Sequence, residues 1–172
     1  MTQSLQPRIY VACLAAYNSG HLHGAWIDAA QSSDEIREEI QSMLASSPIL
    51  QAEEWGIHDF EGFAGIHLSE FAGLEEVSRV AALLVEHGAA FGAFASNFGL
   101  EHATGEGFEE AYCGEWESET AYAEHLFDEL YLHDVPETVQ PYIDYEKFAR
   151  DLFMCDYYSA QAPQGVFVFR HT

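Results

Sequence analysis

The segment RIYVACLAA, at residues 8–16, decides the fold because it is apolar with a β-branched bias. Ile9, Val11 and Leu14 predict a buried strand there. A loop then leads to GAWID at 24–28, which predicts a second short strand. Two short strands followed by a helical pattern indicate that the chain opens with a small α+β unit.

The next signals complete this first unit. Ser32 is placed as the N-cap of a helix over about residues 34–46, and Glu35 three residues later completes a capping box. The segment EEWGIHDF at 53–60 predicts a third strand, because Trp and Ile alternate with other residues in it. The unit is therefore predicted to end near Glu61.

Between residues 62 and 103 the pattern becomes helical. Gly88 fits the C-cap of a first helix, a second short helix is predicted over 89–98, and the glycines that follow predict a linker over 99–107. Five apolar residues at helical spacing are predicted to share the buried face of the first helix: Leu74, Val77, Ala81, Leu84 and Val85.

The last third is predicted to mix strands with helices. FEEAYCGE at 108–115 predicts a strand, and Ser118 is placed to cap a helix over about residues 119–131. A further helix is predicted over about 143–155, and GVFVFR at 165–170 predicts a closing strand. The sequence as a whole thus predicts an α+β protein.

The net charge of this chain is far larger than that of an ordinary domain. It has 29 Asp and Glu residues against 6 Lys and Arg, a formal net charge of −23, whereas small soluble domains typically carry a net charge of roughly 2–8 in magnitude. About 40 Å of duplex DNA carries the same charge. Between Glu38 and Glu146 there are 24 acidic residues and one basic residue, Arg79. Acids spaced in ones and twos between apolar residues indicate a folded array of carboxylates that substitutes for DNA phosphates.

An acidic composition also occurs in proteins with different roles. Halophilic proteins are acidic, but they usually have a reduced apolar content, and here 48% of the residues are hydrophobic. A calcium-binding loop needs closely spaced oxygen ligands, a spacing that the sequence lacks. Counting residues does not exclude a hydrolase or metal-dependent enzyme that uses a pair of carboxylates in a cleft.

The remaining reactive residues form no recognisable site. Cys13, Cys113 and Cys155 are far apart in the sequence and include no CxxC, so we expect free thiols in a reducing, cytoplasmic compartment. The nine histidines lack metal-ligand spacing, and the sequence has no phosphate-binding glycine motif and no nucleophile elbow. We therefore expect no metal, no cofactor, no catalysis and no membrane span. The anionic surface argues against direct binding of nucleic acid.

Three segments resemble a known family. They are PRIYVACLAAYNSGHLHGAWIDA (7–29), LLVEHGAAFGAF (83–94) and LHDVPETVQPYIDYEKFARDLFMCDY (132–157). All three resemble the ArdA antirestriction proteins, which are carried on conjugative plasmids and transposons. The similarity covers essentially the whole chain.

The resemblance implies an elongated chain of three small domains, at 1–61, 62–103 and 104–172. It also implies a homodimer that forms through the last domain. The carboxylate surface would occupy the DNA-binding groove of a Type I restriction-modification enzyme, at its methyltransferase core with the specificity subunit. Restriction would be blocked, and modification can be blocked too.

Specific residues are assigned to these roles. The dimer contact is placed on the predicted strand, at Phe108, Ala111, Tyr112 and Cys113. The acids expected to replace phosphates are Glu38, Glu53, Glu54, Asp59, Glu61, Glu70, Glu75, Glu76, Glu86, Glu101, Glu106, Glu109, Glu110, Glu115, Glu117, Glu119, Glu124, Asp128 and Glu129.

A further hypothesis is an acidic partner of some other DNA-binding protein. Charge alone does not distinguish it from an inhibitor of restriction enzymes; only the family resemblance does. A tight complex with a purified Type I methyltransferase core, displaced by DNA, would separate the restriction-enzyme inhibitor from a hydrolase.

Overall fold

The computed structural model describes residues 4–172, which divide into two compact units. The first unit ends at Ala103 and the second is Thr104–Thr172. The described residues form seven α-helices and two three-stranded antiparallel sheets, one sheet in each unit, so the mixed α+β class is confirmed. The predicted division into three domains, with a further boundary after residue 61, stays a prediction.

The first sheet contains the three strands predicted from the opening part of the chain. β1 (Arg8–Cys13) lies between β2 (Gly24–Asp28) and β3 (Trp55–Glu61), and both pairings are antiparallel. The predicted strand at 8–16 is too long. The residues after β1 form a short helix, α1 (Leu14–Asn18), whose alanines favour helix over strand.

Helix α2 (Ser33–Ala45) packs against β1 and β2. The Glu35 N–H donates to Ser32 Oγ at 3.2 Å, and the Ser32 N–H donates to Glu35 Oε2 at 2.9 Å, so the capping box is confirmed. Ile36 and Ile40, one turn apart, are fully buried beneath the helix. The predicted start of this helix is therefore correct to within one residue.

Two helices complete the first unit, α3 (Leu74–His87) and α4 (Ala89–Phe98). Gly88 separates them at φ +71°, a conformation that glycine adopts without strain. The predicted buried face of α3 is wrong at Val85, which is 46% exposed, whereas Val80 is fully buried. At 100° per residue Val85 lies at the edge of the apolar stripe. The other four residues predicted for that face are buried, namely Leu74, Val77, Ala81 and Leu84.

The second sheet consists of β4 (Tyr112–Trp116), β5 (Tyr157–Ala162) and β6 (Gly165–Arg170). Their order is β4-β6-β5, so the strand predicted from GVFVFR is the central one and β4 and β5 are its edges. The sequence did not predict β5. Tyr122, Tyr157 and Val168 form the buried centre of this unit.

Three helices accompany the second sheet: α5 (Gly105–Ala111), α6 (Glu119–Leu130) and α7 (Tyr145–Cys155). Ser118 Oγ accepts the Ala121 N–H at 3.0 Å, so the predicted cap of α6 is confirmed. Helices α6 and α7 pack against each other. Within residues 4–172, no helix combines the length and the apolar character needed to cross a bilayer.

The structure corrects the linker predicted at 99–107 and the strand predicted at 108–115. Thr104 Oγ1 accepts the Gly107 N–H at 3.0 Å and caps α5, so the chain is helical from Gly105 to Ala111 and the strand begins only at Tyr112. Phe108 and Ala111 are helical residues buried within their own unit, while Tyr112 and Cys113 lie on an edge strand. The dimer contact assigned to these four residues stays a prediction.

Candidate partner-binding surface

The acidic residues lie at the surface of both units. All 29 are among the described residues; 28 are exposed, and Glu76 is half-buried. The first unit has 14 acidic and three basic residues, a net charge of −11, and the second has 15 and three, a net charge of −12. An ionised carboxylate in an apolar core would lose its hydration, which explains the exposure. Each unit is an anionic body in its own right.

The nineteen acids assigned to phosphate replacement are divided between the units. In the first unit they are Glu38 on α2, Glu53 and Glu54 before β3, Asp59 and Glu61 on β3, Glu70 before α3, Glu75, Glu76 and Glu86 on α3, and Glu101 after α4. In the second unit they are Glu106, Glu109 and Glu110 on α5, Glu115 on β4, Glu117 before α6, and Glu119, Glu124, Asp128 and Glu129 on α6.

Few of these carboxylates are neutralised by a cation. Arg8 pairs with Glu61, Arg37 bridges two acids at 3.2 and 3.3 Å, and Arg150 lies 3.8 Å from the adjacent Asp151. The two acids that Arg37 bridges are Asp34 and Glu75. In residues 4–172 the other 25 acids form no ion pair with lysine or arginine. Most of the negative charge therefore stays available to a partner.

Four further acids have a histidine as their neighbour. The N–O distances are 3.1 Å for His58 and Glu70, 3.8 Å for His87 and Glu86, 3.5 Å for His125 and Glu129, and 3.3 Å for His133 and Asp134. A histidine neutralises a carboxylate only when it is protonated. These contacts therefore remove no charge from the array while the imidazole is neutral.

Uncharged donors hold several carboxylates in place without neutralising them. The Tyr145 hydroxyl donates to Asp128 Oδ1 at 2.7 Å, and Ser159 Oγ donates to Glu119 Oε1 at 2.7 Å. The bond to Asp128, then burial of the phenol, and then the nearby charges of Asp128 and Glu124 raise the pKa of Tyr145 to about 12. Tyr145 of α7 thus holds the Asp128 carboxylate of α6 in place.

Two carboxylates are also held in the ionised form by hydrogen bonds. The Ser32 N–H and then the Ser32 hydroxyl lower the pKa of Glu35. The pKa of Glu75 is lowered first by its own backbone N–H and then by Arg37. Both residues lie in the first turn of a helix, where free N–H groups favour a negative charge.

Arg79, the one basic residue between Glu38 and Glu146, has a structural role. Its guanidinium donates to the backbone oxygen of Leu100 at 2.8 Å and to that of Ala103 at 2.6 Å. The pKa of the Arg170 guanidinium is raised, first by hydrogen bonding to Tyr157 and then by the nearby charges of Tyr157 and Cys113. The sequence showed Arg79 as isolated but gave no sign of its backbone partners.

Residues suited to other chemistry are dispersed. All three cysteines are free. In the part of the chain that the structure describes, no three side chains of His, Cys, Asp or Glu come together as a group that could hold a metal ion. Exposed carboxylates, in contrast, occur throughout both units.

Comparison with known proteins gives one finding of broad coverage. A family model described as "Antirestriction protein (ArdA)" matches residues 9–168, nearly the full chain. A search of the curated proteins returned no match. The matched range includes every helix and all six strands, apart from the first residue of β1 and the last two residues of β6.

Proposed function

Because this chain belongs to the ArdA antirestriction protein family, we propose that it inhibits Type I restriction-modification enzymes by imitating DNA. The observation that carries the proposal is the set of exposed carboxylates, 25 of 29 without a lysine or arginine partner in residues 4–172. In this proposal the carboxylates occupy the places of DNA phosphates in the binding groove of the enzyme. The protein acts as an inhibitor and not as a catalyst, and it needs no cofactor.

The amount of charge on each unit suits this role. Net charges of −11 and −12 correspond each to about 20 Å of duplex, at one charge per ~1.7 Å of helix axis. A DNA-binding enzyme matches lysine and arginine side chains to phosphates at this density. Because phosphate contacts carry little sequence information, a mimic of the backbone inhibits enzymes with different recognition sequences.

Folding fixes the carboxylates before the partner arrives. The acids of α2 and α6 follow side-chain-capped helix ends, and Asp128 and Glu119 are each held by a neutral hydroxyl. An array that is already ordered loses less conformational freedom on binding than a flexible acidic tail would. This is a physical reason for building a mimic on a folded scaffold.

The same proposal includes a homodimer formed through the C-terminal third. β4 is an edge strand, so its outer hydrogen-bonding groups offer a place for a second copy to pair. Tyr112 and Cys113 on that strand are its predicted contact residues. The protein acts in the cytoplasm, where the host enzyme meets incoming DNA, and does not bind nucleic acid itself.

The test is competition for a purified Type I methyltransferase core. We expect the protein to form a complex that DNA displaces and that weakens as salt rises. A single Glu→Gln change, at Glu109 for instance, should weaken inhibition by about 1.5- to 5-fold, the range expected for exposed ion pairs. Replacing several acids of α5 and α6 together should multiply these losses.

Arg150→Gln is the matched control, because it changes the charge by one unit in the opposite direction and should not weaken inhibition. If one Glu→Gln substitution abolished inhibition while the fold stayed intact, the distributed-charge mechanism would be wrong. A chain that bound other DNA-binding proteins but no Type I enzyme would favour the acidic-partner hypothesis instead.

A further inference from the structure

A groove in the first unit combines an exposed aromatic ring with an unusual acid. It has a volume of about 720 Å³ and is lined by residues from 65–73, from 95–102, and by Glu76. Phe71, which lines it, is 69% exposed. Glu76 is the one acid of the chain that is half-buried. Phe71 and Glu76 therefore both line a concave surface that no residue of the described chain fills.

One wall of the groove is the segment between β3 and α3, and it is firmly anchored. The Ile57 N–H of β3 donates to the Glu70 oxygen at 2.8 Å. Gly92 of α4 approaches the segment so closely that a Cβ at this position would lie 2.6 Å from the Cβ of Ala64. Three apolar side chains of the segment are at most 3% exposed, namely Phe63, Ile66 and Leu68.

The opposite wall follows α4 and is fixed by Arg79. The two hydrogen bonds from its guanidinium to the Leu100 and Ala103 oxygens hold the turn that carries Glu101. Since Leu100 and Glu101 both line the groove, Arg79 shapes the wall without placing its charge on either acid. Both walls are thus preformed.

The groove is open to an incoming group. A Cβ added at Gly65, Gly73 or Gly99, all of which line it, would meet no heavy atom within 4 Å. Neither Glu76 nor Glu101 forms an ion pair with a lysine or arginine in residues 4–172. The occupant that complements two carboxylates beside an aromatic ring is a cation with an apolar stem.

We propose that this groove receives an arginine side chain of the partner enzyme, with its guanidinium on Phe71 and on the carboxylates of Glu76 and Glu101. A planar guanidinium stacks on an aromatic face and binds carboxylates with two parallel hydrogen bonds, which an ammonium does not. Arginine in a pocket is also a frequent anchor of protein interfaces. The inference rests on the proposed function, because it assigns the cation to the restriction-modification enzyme.

The probe is N-acetyl-arginine amide, added to the isotope-labelled full chain while its backbone amides are followed by NMR. N-acetyl-citrulline amide is the control, since it has nearly the same shape and no charge. Both ligands are added at the same fixed pH, because two imidazoles, those of His67 and His102, also line the groove. We expect saturable shifts at Gly65, Gly73 and Gly99 with arginine and not with citrulline.

Three variants test the assigned contacts. Glu76→Gln and Phe71→Ala should each weaken binding of the probe by about tenfold, as expected when one partly desolvated contact is lost. Glu75→Gln is the matched control, because Glu75 is the neighbouring acid on α3 and does not line the groove. Binding that was equal in Glu75→Gln and Glu76→Gln would overturn the inference, as would shifts spread evenly over the exposed acids.

Inhibition of a Type I methyltransferase core by the same variants separates the two proposals. Suppose that the unsubstituted chain inhibits the enzyme, and that Glu76→Gln and Phe71→Ala inhibit it as strongly as Glu75→Gln does. The proposed arginine site is then wrong, and the proposed DNA mimicry is unaffected. If the probe binds the groove but the chain does not inhibit the enzyme, the proposed function is wrong and the arginine site stands without that partner.

Discussion

The two units carry almost the same charge on very different cores. The first has a net charge of −11 on the chain up to Ala103, and the second has −12 on only 69 residues. Of the twelve largest fully buried side chains, ten belong to the first unit, and only Val168 and Phe169 belong to the second. The second unit therefore supports a denser charge with less fully buried apolar surface. An anionic surface evidently does not require one particular kind of scaffold.

Aromatic contacts compensate in the second unit. Phe108 stacks on Tyr112 with ring centroids 4.9 Å apart, and Tyr158 stacks on Phe169 at 5.0 Å. Such pairs contribute about 0.5–1.5 kcal/mol each beyond the burial of their area. A ring also covers a large area while it remains half-exposed. This explains how a unit with few fully buried residues can still fold.

The largest expected effect comes from removing one buried ring in each unit. Phe91→Ala and Phe169→Ala should each cost about 3–5 kcal/mol of folding free energy. A small core supplies little more than that in total, so we expect Phe169→Ala to unfold the second unit and Phe91→Ala to leave the first unit weakened but folded. Backbone amide NMR spectra follow both units at once. The comparison would be reversed if Phe91→Ala unfolded the first unit while Phe169→Ala left the second unit folded.

Added salt should produce a smaller effect in the same direction. Repulsion between like charges destabilises a compact state, and salt screens it. Because the second unit has the denser charge, we expect its hydrogen-exchange protection to rise more with NaCl than that of the first. A non-ionic osmolyte is the control, since it stabilises both units without screening. Equal gains in salt would show that charge density does not limit the second unit.

Loss of a helix cap should lower the free energy of unfolding by a smaller amount. Ser118→Ala removes one side-chain bond to the Ala121 N–H and should cost about 1 kcal/mol. Ser32→Ala should cost more, up to ~2 kcal/mol, because Ser32 belongs to a reciprocal capping box with Glu35. Denaturant titrations of both variants, with Ser→Thr at each site as the conservative control, check the order. A larger loss at Ser118 would contradict it.

Titration should affect the two units at opposite ends of the pH range. The pKa of Glu35 is lowered from 4.5, so its contribution to the first unit is present above that value and is lost as pH falls through the folded pKa. The pKa of Tyr145 is raised from 10.0 to about 12, so its contribution to the second unit is present below pH 10 and is lost as pH rises toward 12. Glu35 is exposed and Tyr145 is only half-buried, so we expect these to be the smallest effects.

Ultraviolet difference spectra of the unsubstituted chain and Tyr145→Phe isolate the ionisation of the Tyr145 phenol. Asp128→Asn is the companion variant, and it should return Tyr145 to the ordinary range. An alkaline titration that Asp128→Asn left unchanged would show that the bond to Asp128 is not formed in solution.

The sequence predicted the elements that local signals specify. Ser32 and Glu35 predicted the start of α2, Gly88 predicted the end of α3, and the segment GVFVFR predicted β6. The α5 segment misled the prediction because its glycines, Gly105 and Gly107, are poor helix formers. Its helix depends on the cap from Thr104 and on the burial of Phe108, and the burial is decided by the rest of the unit.

The candidate site was predictable in kind but not in detail. Exposure of acids follows from the cost of burying a charge, so composition alone indicated an anionic surface. The groove depends on contacts between residues distant in sequence, such as Gly92 with Ala64 and Arg79 with Leu100. No periodicity or short motif records such contacts, and for that reason neither the groove nor the role of Arg79 could be predicted.

Carboxylates that face solvent without a fixed partner are interchangeable over evolutionary time. An acid can disappear from one position and arise at a neighbouring one, as Asp or Glu, and the field around the protein changes little. Gly92 has no such freedom, because any side chain there would collide with Ala64. The ancestry of such a chain is therefore preserved in its scaffold, while exposed acids can shift from one position to another.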